Sequence, residues 1–284
     1  INIFIGENGV GKTNILEAIY VLSLTKSNRY GTNLDLINHQ EESTSLIGEV
    51  DYLNYLKRYQ VDISKNSKKV YINNQEIKRI TDYISNFCVT TFMPSDIDII
   101  KGSPSTRRNL LNIQIGELYN NYLKYVNEYN SLLKIRNDYL KKLNINGNMD
   151  FKYLEVIDQK MIEISLKIYY FRYFYVSEIN KIIPVVFKKI TNISNLQLEY
   201  VNNLNLETYD EEKIKDLLKN KFKKNLNKEI ILGMTLNGVH RDDLIFKINS
   251  YDAKIYASEG QQKMIVIAYK ISELLLFKKI KKEY

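Results

Sequence analysis

The pattern of apolar and polar positions divides the chain into stretches of different period. Residues 1 to 5, INIFI, form a short apolar run of strand type, and Ile15, Ala18, Ile19 and Leu22 then recur at helical spacing. The order is strand, glycine loop, helix. Between residues 46 and 100 apolar and polar positions alternate, which predicts a small antiparallel sheet with strands at 47–53, 58–64 and 69–73 and a turn at Asn73-Asn74. KGSPST opens the next helix, with Ser103 at the N-cap and Pro104 at N1. From about 110 to 183 the pattern is almost wholly helical; Asn144-Ile145-Asn146-Gly147-Asn148 reads as the turn of an αα-hairpin, and Pro184 is expected to end it. Two arms of about 30 residues reach only about 45 Å, so a compact helical lobe is expected rather than a long coiled coil. In the last helix Met264, Ile267, Ala268, Ile271, Leu274 and Leu275 lie on one face.

These elements predict an α/β fold built on a P-loop ATPase lobe with an inserted helical lobe. The ATPase lobe takes 1–109, the helical lobe 110–190, and 191–284 returns to the first lobe. A chain of 284 residues, 44% hydrophobic and 26% charged, is long enough and apolar enough for a sizeable core. Its 41 Lys and Arg exceed 33 Asp and Glu by eight, which permits a polyanionic partner without identifying one, because AT-rich coding produces the same Lys-, Asn-, Ile- and Tyr-rich mixture. The lysine runs at 213–228 and 278–282 read by default as solvated faces. The single cysteine, Cys88, flanked by Phe87 and Val89, is expected at a buried strand position and fits a reducing cytoplasm. No run of about 18 apolar residues occurs, and the N-terminus lacks a basic segment followed by an apolar one, so a cytoplasmic protein with no membrane partner is expected.

The most specific motif is the loop Gly6-Glu7-Asn8-Gly9-Val10-Gly11-Lys12-Thr13, continued by Asn14, which satisfies GxxxxGK[ST] between a predicted strand and a helix. Glycines remove Cβ atoms, so backbone N–H groups can surround a phosphate, and the helix N-terminus adds its positive end. Lys12 supplies a charge for the β- and γ-phosphates of ATP. Thr13 is the expected Mg²⁺ ligand, since Mg²⁺ prefers hard oxygen donors.

A P-loop alone serves kinases, transport ATPases and ATP-binding modules without turnover, so other segments must discriminate. In Tyr256-Ala257-Ser258-Glu259-Gly260-Gln261-Gln262-Lys263, Ser258 stands where an N-cap is expected, and Ser258 with Gly260 at a helix start forms a small anion site. Gly238-Val239-His240-Arg241-Asp242-Asp243-Leu244 has the look of a protein-kinase catalytic loop. That reading fails because the loop requires Asn five positions after its Asp, and counting from Asp242 gives Lys247. Arg107 and Arg108 oppose the helix dipole in a first turn, which leaves two readings: contact with DNA or nucleotide phosphate, or an internal salt bridge. The run Tyr169-Tyr170-Phe171-Arg172-Tyr173-Phe174-Tyr175 can stack on bases or pack a helix.

Taken in order, GENGVGKTN at 6–14, LTKSNR at 24–29, MPSDIDIIKGSPSTRR at 93–108, GVHRDDL at 238–244 and SEGQQK at 258–263 resemble the RecF family of bacterial DNA repair ATPases, related to ABC and chromosome-maintenance heads. The resemblance covers nearly the whole chain. It implies that ATP sits between two heads, with the P-loop of one facing Ser258, Gly260 and Gln261 of the other, so that binding closes a homodimer. It further implies duplex DNA beside single-stranded gaps as the target, RecO and RecR as partners, and loading of RecA as the outcome. The chain departs from the family at Val239, usually Pro, at Glu259, commonly Gln, and at Lys263, commonly Arg. No apolar strand ending in Asp follows residue 263, so the Walker B element is expected beyond Tyr284, and the chain as it stands is expected to bind ATP without hydrolysing it.

Overall fold

The computed structural model describes residues 1–29, 32–52, 54–146 and 151–282. They fall into two compact units. The first comprises 1–91, 116–120 and 277–284, and the second 92–115 and 121–276.

In the first unit, helix α1 (Lys12–Leu24) is followed by strands β1 (Ser43–Tyr52), β2 (Tyr55–Ser64), β3 (Lys68–Ile72) and β4 (Gln75–Glu76), and by one turn of helix, α2 (Ile80–Tyr83). The strands pair antiparallel in chain order. Alternation puts Tyr59, Val61 and Ile63 of β2 and Val70 of β3 on one face, where they bury Val21 and Leu22 of α1 together with Ile37 and Tyr83. Tyr83 Oη donates to the carbonyl of Leu22 at 2.6 Å, satisfying a polar group inside this core. Between β3 and β4, Ile72 pairs with Gln75 across Asn73 and Asn74, both at positive φ (49° and 65°). That is the two-residue hairpin turn asparagine favours.

Two expectations fail here. Residues 1–7 form no strand, and Ile1, Ile3 and Ile5 are largely exposed. A strand exists through the ladder bonds of a neighbour, and among the described residues this segment has none. Cys88 lies outside any strand and is half-buried, with Sγ 3.4 Å from the carbonyl of Glu117.

The second unit opens with α3 (Asp98–Lys101) and continues through α4 (Pro104–Leu118), α5 (Asn120–Asn146) and α6 (Phe151–Thr191). Strand β5 (Leu196–Val201), helix α7 (Glu211–Leu232), strands β6 (Asp243–Ile248) and β7 (Tyr251–Asp252), the short α8 (Ala253–Tyr256) and α9 (Glu259–Lys281) complete it. The last turns of α4 and α9 belong to the first unit. Ser103 caps α4 through the backbone N–H of Thr106, as the sequence predicts. The expected hairpin turn falls partly on residues 147–150, outside the described residues. Helix α6 does not stop at Pro184 but runs to Thr191, 41 residues or about 60 Å. Proline removes one bond of the helix at a cost of about 3 kcal/mol, and here Ile183, Val186 and Phe187, all buried, hold both sides of it in the core. Beside α6, β5 pairs with β6 and β6 with β7, all antiparallel.

Among the described residues no helix is long and apolar enough to cross a membrane.

Candidate functional site

The glycine loop meets the steric demands of a phosphate cradle. Gly9 and Gly11 adopt φ of 93° and 91°, a region closed to most side chains, and nothing lies within 4 Å of where their Cβ atoms would stand. Gly11 is the N-cap of α1 and supplies no side-chain bond, so the first N–H groups of the helix remain available to an anion. Lys12 Nζ lies across the loop, donating to the carbonyls of Gly6 at 2.7 Å and Glu7 at 2.6 Å. The Thr13 side chain is exposed beside it. Among the described residues no group of three or more His, Cys, Asp or Glu could hold a metal ion.

The LTKSNR segment folds back on this helix. Glu17, buried on α1, accepts from the hydroxyl of Ser27 and from Arg29 at 3.1 Å, and the same Arg29 nitrogen reaches Asn14 Oδ1 at 3.1 Å. Asn14, the last residue of the motif, is thus braced from outside the loop. Sequence spacing gives no hint of this bond.

In the second unit, the SEGQQK segment starts α9 with a reciprocal cap. Ser258 Oγ accepts from the N–H of Gln261 at 3.3 Å, and Gln261 Oε1 accepts from the N–H of Ser258 at 2.9 Å. Gln261, expected at a partner's ATP, is engaged in this box. Ser258 and Gly260 remain exposed at the helix start. Glu259 points outward to Lys101, 3.1 Å away, and that hydrogen bond and charge hold its carboxyl below the usual range.

For Arg107 the structure decides between the two readings in favour of the internal ion pair. Its guanidinium is buried and grips both oxygens of Asp243 at 2.7 Å, while Nη1 donates to the carbonyls of Gly102 and Ile100. Arg108, half-buried, donates to the carbonyl of Asp242 at 2.8 Å and keeps part of its surface in solvent.

The GVHRDDL segment is scaffolding. Gly238 sits at φ 128°, and a Cβ there would stand 2.3 Å from Tyr129 Oη, so only glycine admits the tyrosine. Nε2 of His240 faces the carbonyl of Thr235 at 3.1 Å and must carry the proton; Nδ1 then accepts from Tyr129 Oη at 2.7 Å. Burial lowers the imidazole to about 4, so it is neutral at physiological pH. Asp242, also buried, binds Arg172 at 2.8 Å and accepts from Tyr200, yet burial still pushes its carboxyl up to about 6. Arg172 further donates to the hydroxyl of Tyr122, the carbonyl of Val239 and Asn112 Oδ1. One guanidinium therefore joins α4, α5, α6, β5 and the HRDD turn. The aromatic run 169–175 packs around it, with Tyr169 and Tyr175 fully buried and Tyr170 half-exposed. Sequence reading missed this network, although a lone Arg172 inside an aromatic helical stretch was its trace.

No protein-family model matches the chain. It is 37% identical over 278 residues to the DNA replication and repair protein RecF of Staphylococcus carnosus, spanning 97% of this chain and 75% of that protein. The chain belongs to the RecF family. A second RecF, from Oenococcus oeni, is 35% identical and spans 100% of this chain and 77% of its own length. Two solved structures of the recombination mediator protein RecF, one with ATP and one described as RecF-ATPrS, superpose with TM-scores of 0.92 and 0.91 at 31% identity. They cover 97% and 98% of this chain, and 74% and 75% of theirs. The fold is accordingly that of the RecF head, a P-loop ATPase of ABC type carrying an inserted helical lobe.

Proposed function

We propose that this chain is an ATP-binding DNA repair protein that dimerises around nucleotide on duplex DNA beside single-stranded gaps and promotes the loading of RecA with RecO and RecR. The observation that carries the reading is the loop at 6–14: left-handed Gly9 and Gly11, Lys12 held over the loop, and an uncapped helix start. Those features suit a triphosphate with Mg²⁺ at Thr13. Support also comes from the similar structures, which are of RecF with ATP, a recombination mediator protein of the RecFOR pathway. Ser258 and Gly260 are the groups proposed to meet the γ-phosphate bound by a second copy, from an exposed helix N-terminus. The pairing of Glu259 with Lys101 supports this reading, because it offsets the charge of a carboxylate beside the proposed phosphate site.

The test is Lys12→Ala in the full-length protein, followed by light scattering with and without ATP and by gel shift on gapped duplex. The variant should lose ATP-dependent dimerisation and the ATP-stimulated part of DNA binding. Dimerisation equal to that of the parent would overturn the reading.

A further inference from the structure

Helix α7 carries seven lysines, at 213, 215, 219, 221, 223, 224 and 228. Its buried face is set by Ile214, Leu218 and Phe222, with the Phe222 ring 4.6 Å under the guanidinium carbon of Arg136, and by Glu229, which pairs with the same arginine at 2.7 Å. At about 100° per residue this places Lys215, Lys219 and Lys223 in one row beside that face, and Lys213, Lys224 and Lys228 in another on its far side. All six are exposed.

Two features set this helix apart from an ordinary solvated face. Among the described ion pairs none involves any of the seven lysines. The exposed carboxylates of the helix, Glu211, Glu212 and Asp216, lie in its first two turns, so from Leu217 to Lys228 the sequence is LLKNKFKKNLNK with no acid. The helix dipole does not explain the arrangement either. Cations are stabilised in the last turn, and the last turn of α7 holds none. Lysines four residues apart, as at 215, 219 and 223 or at 224 and 228, repel one another and weaken the helix that carries them. A polyanion laid along the rows relieves that repulsion.

We infer that the lysine rows of α7 are a phosphate-contacting surface for duplex DNA, an assignment that rests on the DNA-binding reading above. The row from Lys215 to Lys223 is about 12 Å long, over which duplex DNA presents about seven charges. Such contacts hold the backbone without reading sequence, which suits a protein directed to a DNA structure. A lipid surface fits less well, because the apolar face that an interfacial helix would insert is here buried in the fold.

The test is the triple variant Lys215→Gln, Lys219→Gln, Lys223→Gln in the full-length protein, which keeps helix propensity. The control is Lys65→Gln, Lys69→Gln, Lys78→Gln, which removes the same charge from exposed positions on the small sheet and its flanking turns. Anisotropy on a duplex of defined length is measured across a salt series, with anionic vesicles as a second probe. The α7 variant should bind DNA at least tenfold more weakly at low salt. Its slope of log affinity against log salt should be shallower by about 2 to 3, near 0.9 per lost contact, with melting temperature equal to or above that of the parent and ATP-dependent dimerisation unchanged. The control should bind like the parent. The inference is overturned if the α7 variant keeps the parental affinity and slope, if the control loses as much, or if only vesicle binding falls. A parent protein without DNA affinity would overturn the underlying reading as well.

Discussion

Tyr129 and His240 sit 2.7 Å apart, phenol oxygen to Nδ1, with the Thr235 carbonyl 3.1 Å from Nε2, in a buried setting that disfavours the charged imidazolium. The folded protein holds the ring neutral, with its pKa lowered from 6.5 to about 4. The unfolded chain binds the proton first as pH falls. The contribution of His240 to stability is therefore fully present above pH 6.5 and is lost as pH falls toward 4. Asp242 runs the other way. Its carboxyl, raised from 3.8 to about 6, favours the fold most below pH 3.8 and loses that advantage as pH rises through 6. Urea denaturation of the parent and of His240→Gln at pH 7 and pH 5 separates the two. The parent should lose about 2 kcal/mol more than the variant across that interval. Equal pH dependence in both proteins would mean that the histidine is not buried neutral.

Arg107 and Arg108 are neighbours with different expected phenotypes. Arg107→Ala leaves Asp243 without its partner and should cost about 3–5 kcal/mol of stability with no change in the salt slope of DNA binding. Arg108→Ala loses the bond to the Asp242 carbonyl and should cost about 1.5–3 kcal/mol, less than Arg107→Ala, and reduce that slope by about 1 if its exposed part meets a phosphate. Denaturation and anisotropy on the same two proteins decide both points.

Removal of the reciprocal cap on α9 by Ser258→Ala should cost about 1 kcal/mol, and Gln261→Ala a similar amount or less. Ser258→Arg should block ATP-dependent dimerisation while the monomer still binds nucleotide. Loss of nucleotide binding by that monomer would argue against a role for Ser258 across the dimer.

Pro184 interrupts the hydrogen bonds of α6 without ending the helix. Pro184→Ala restores an N–H to the carbonyl four residues earlier and should raise stability by about 1–3 kcal/mol, measured by thermal or urea unfolding. A loss instead would show that the ring's own packing outweighs the missing bond.

The sequence by itself determined the nucleotide loop, the small sheet with its Asn73-Asn74 turn, the starts of α4 and α9, and the family. Each of these is local: a turn needs particular residues at particular φ, a cap needs an oxygen three residues before an N–H, and alternation follows from a period of two. Tertiary structure alone decided the rest. It carried α6 past Pro184 because burial on both sides outweighs one lost bond, and it left INIFI without a strand because pairing depends on neighbours. It also turned Arg107 inward to Asp243 and drew Arg172, Asp242, Tyr200 and Tyr122 together from four places in the chain. A buried charge must find its partner wherever the fold brings one, and no spacing along the chain records where that is.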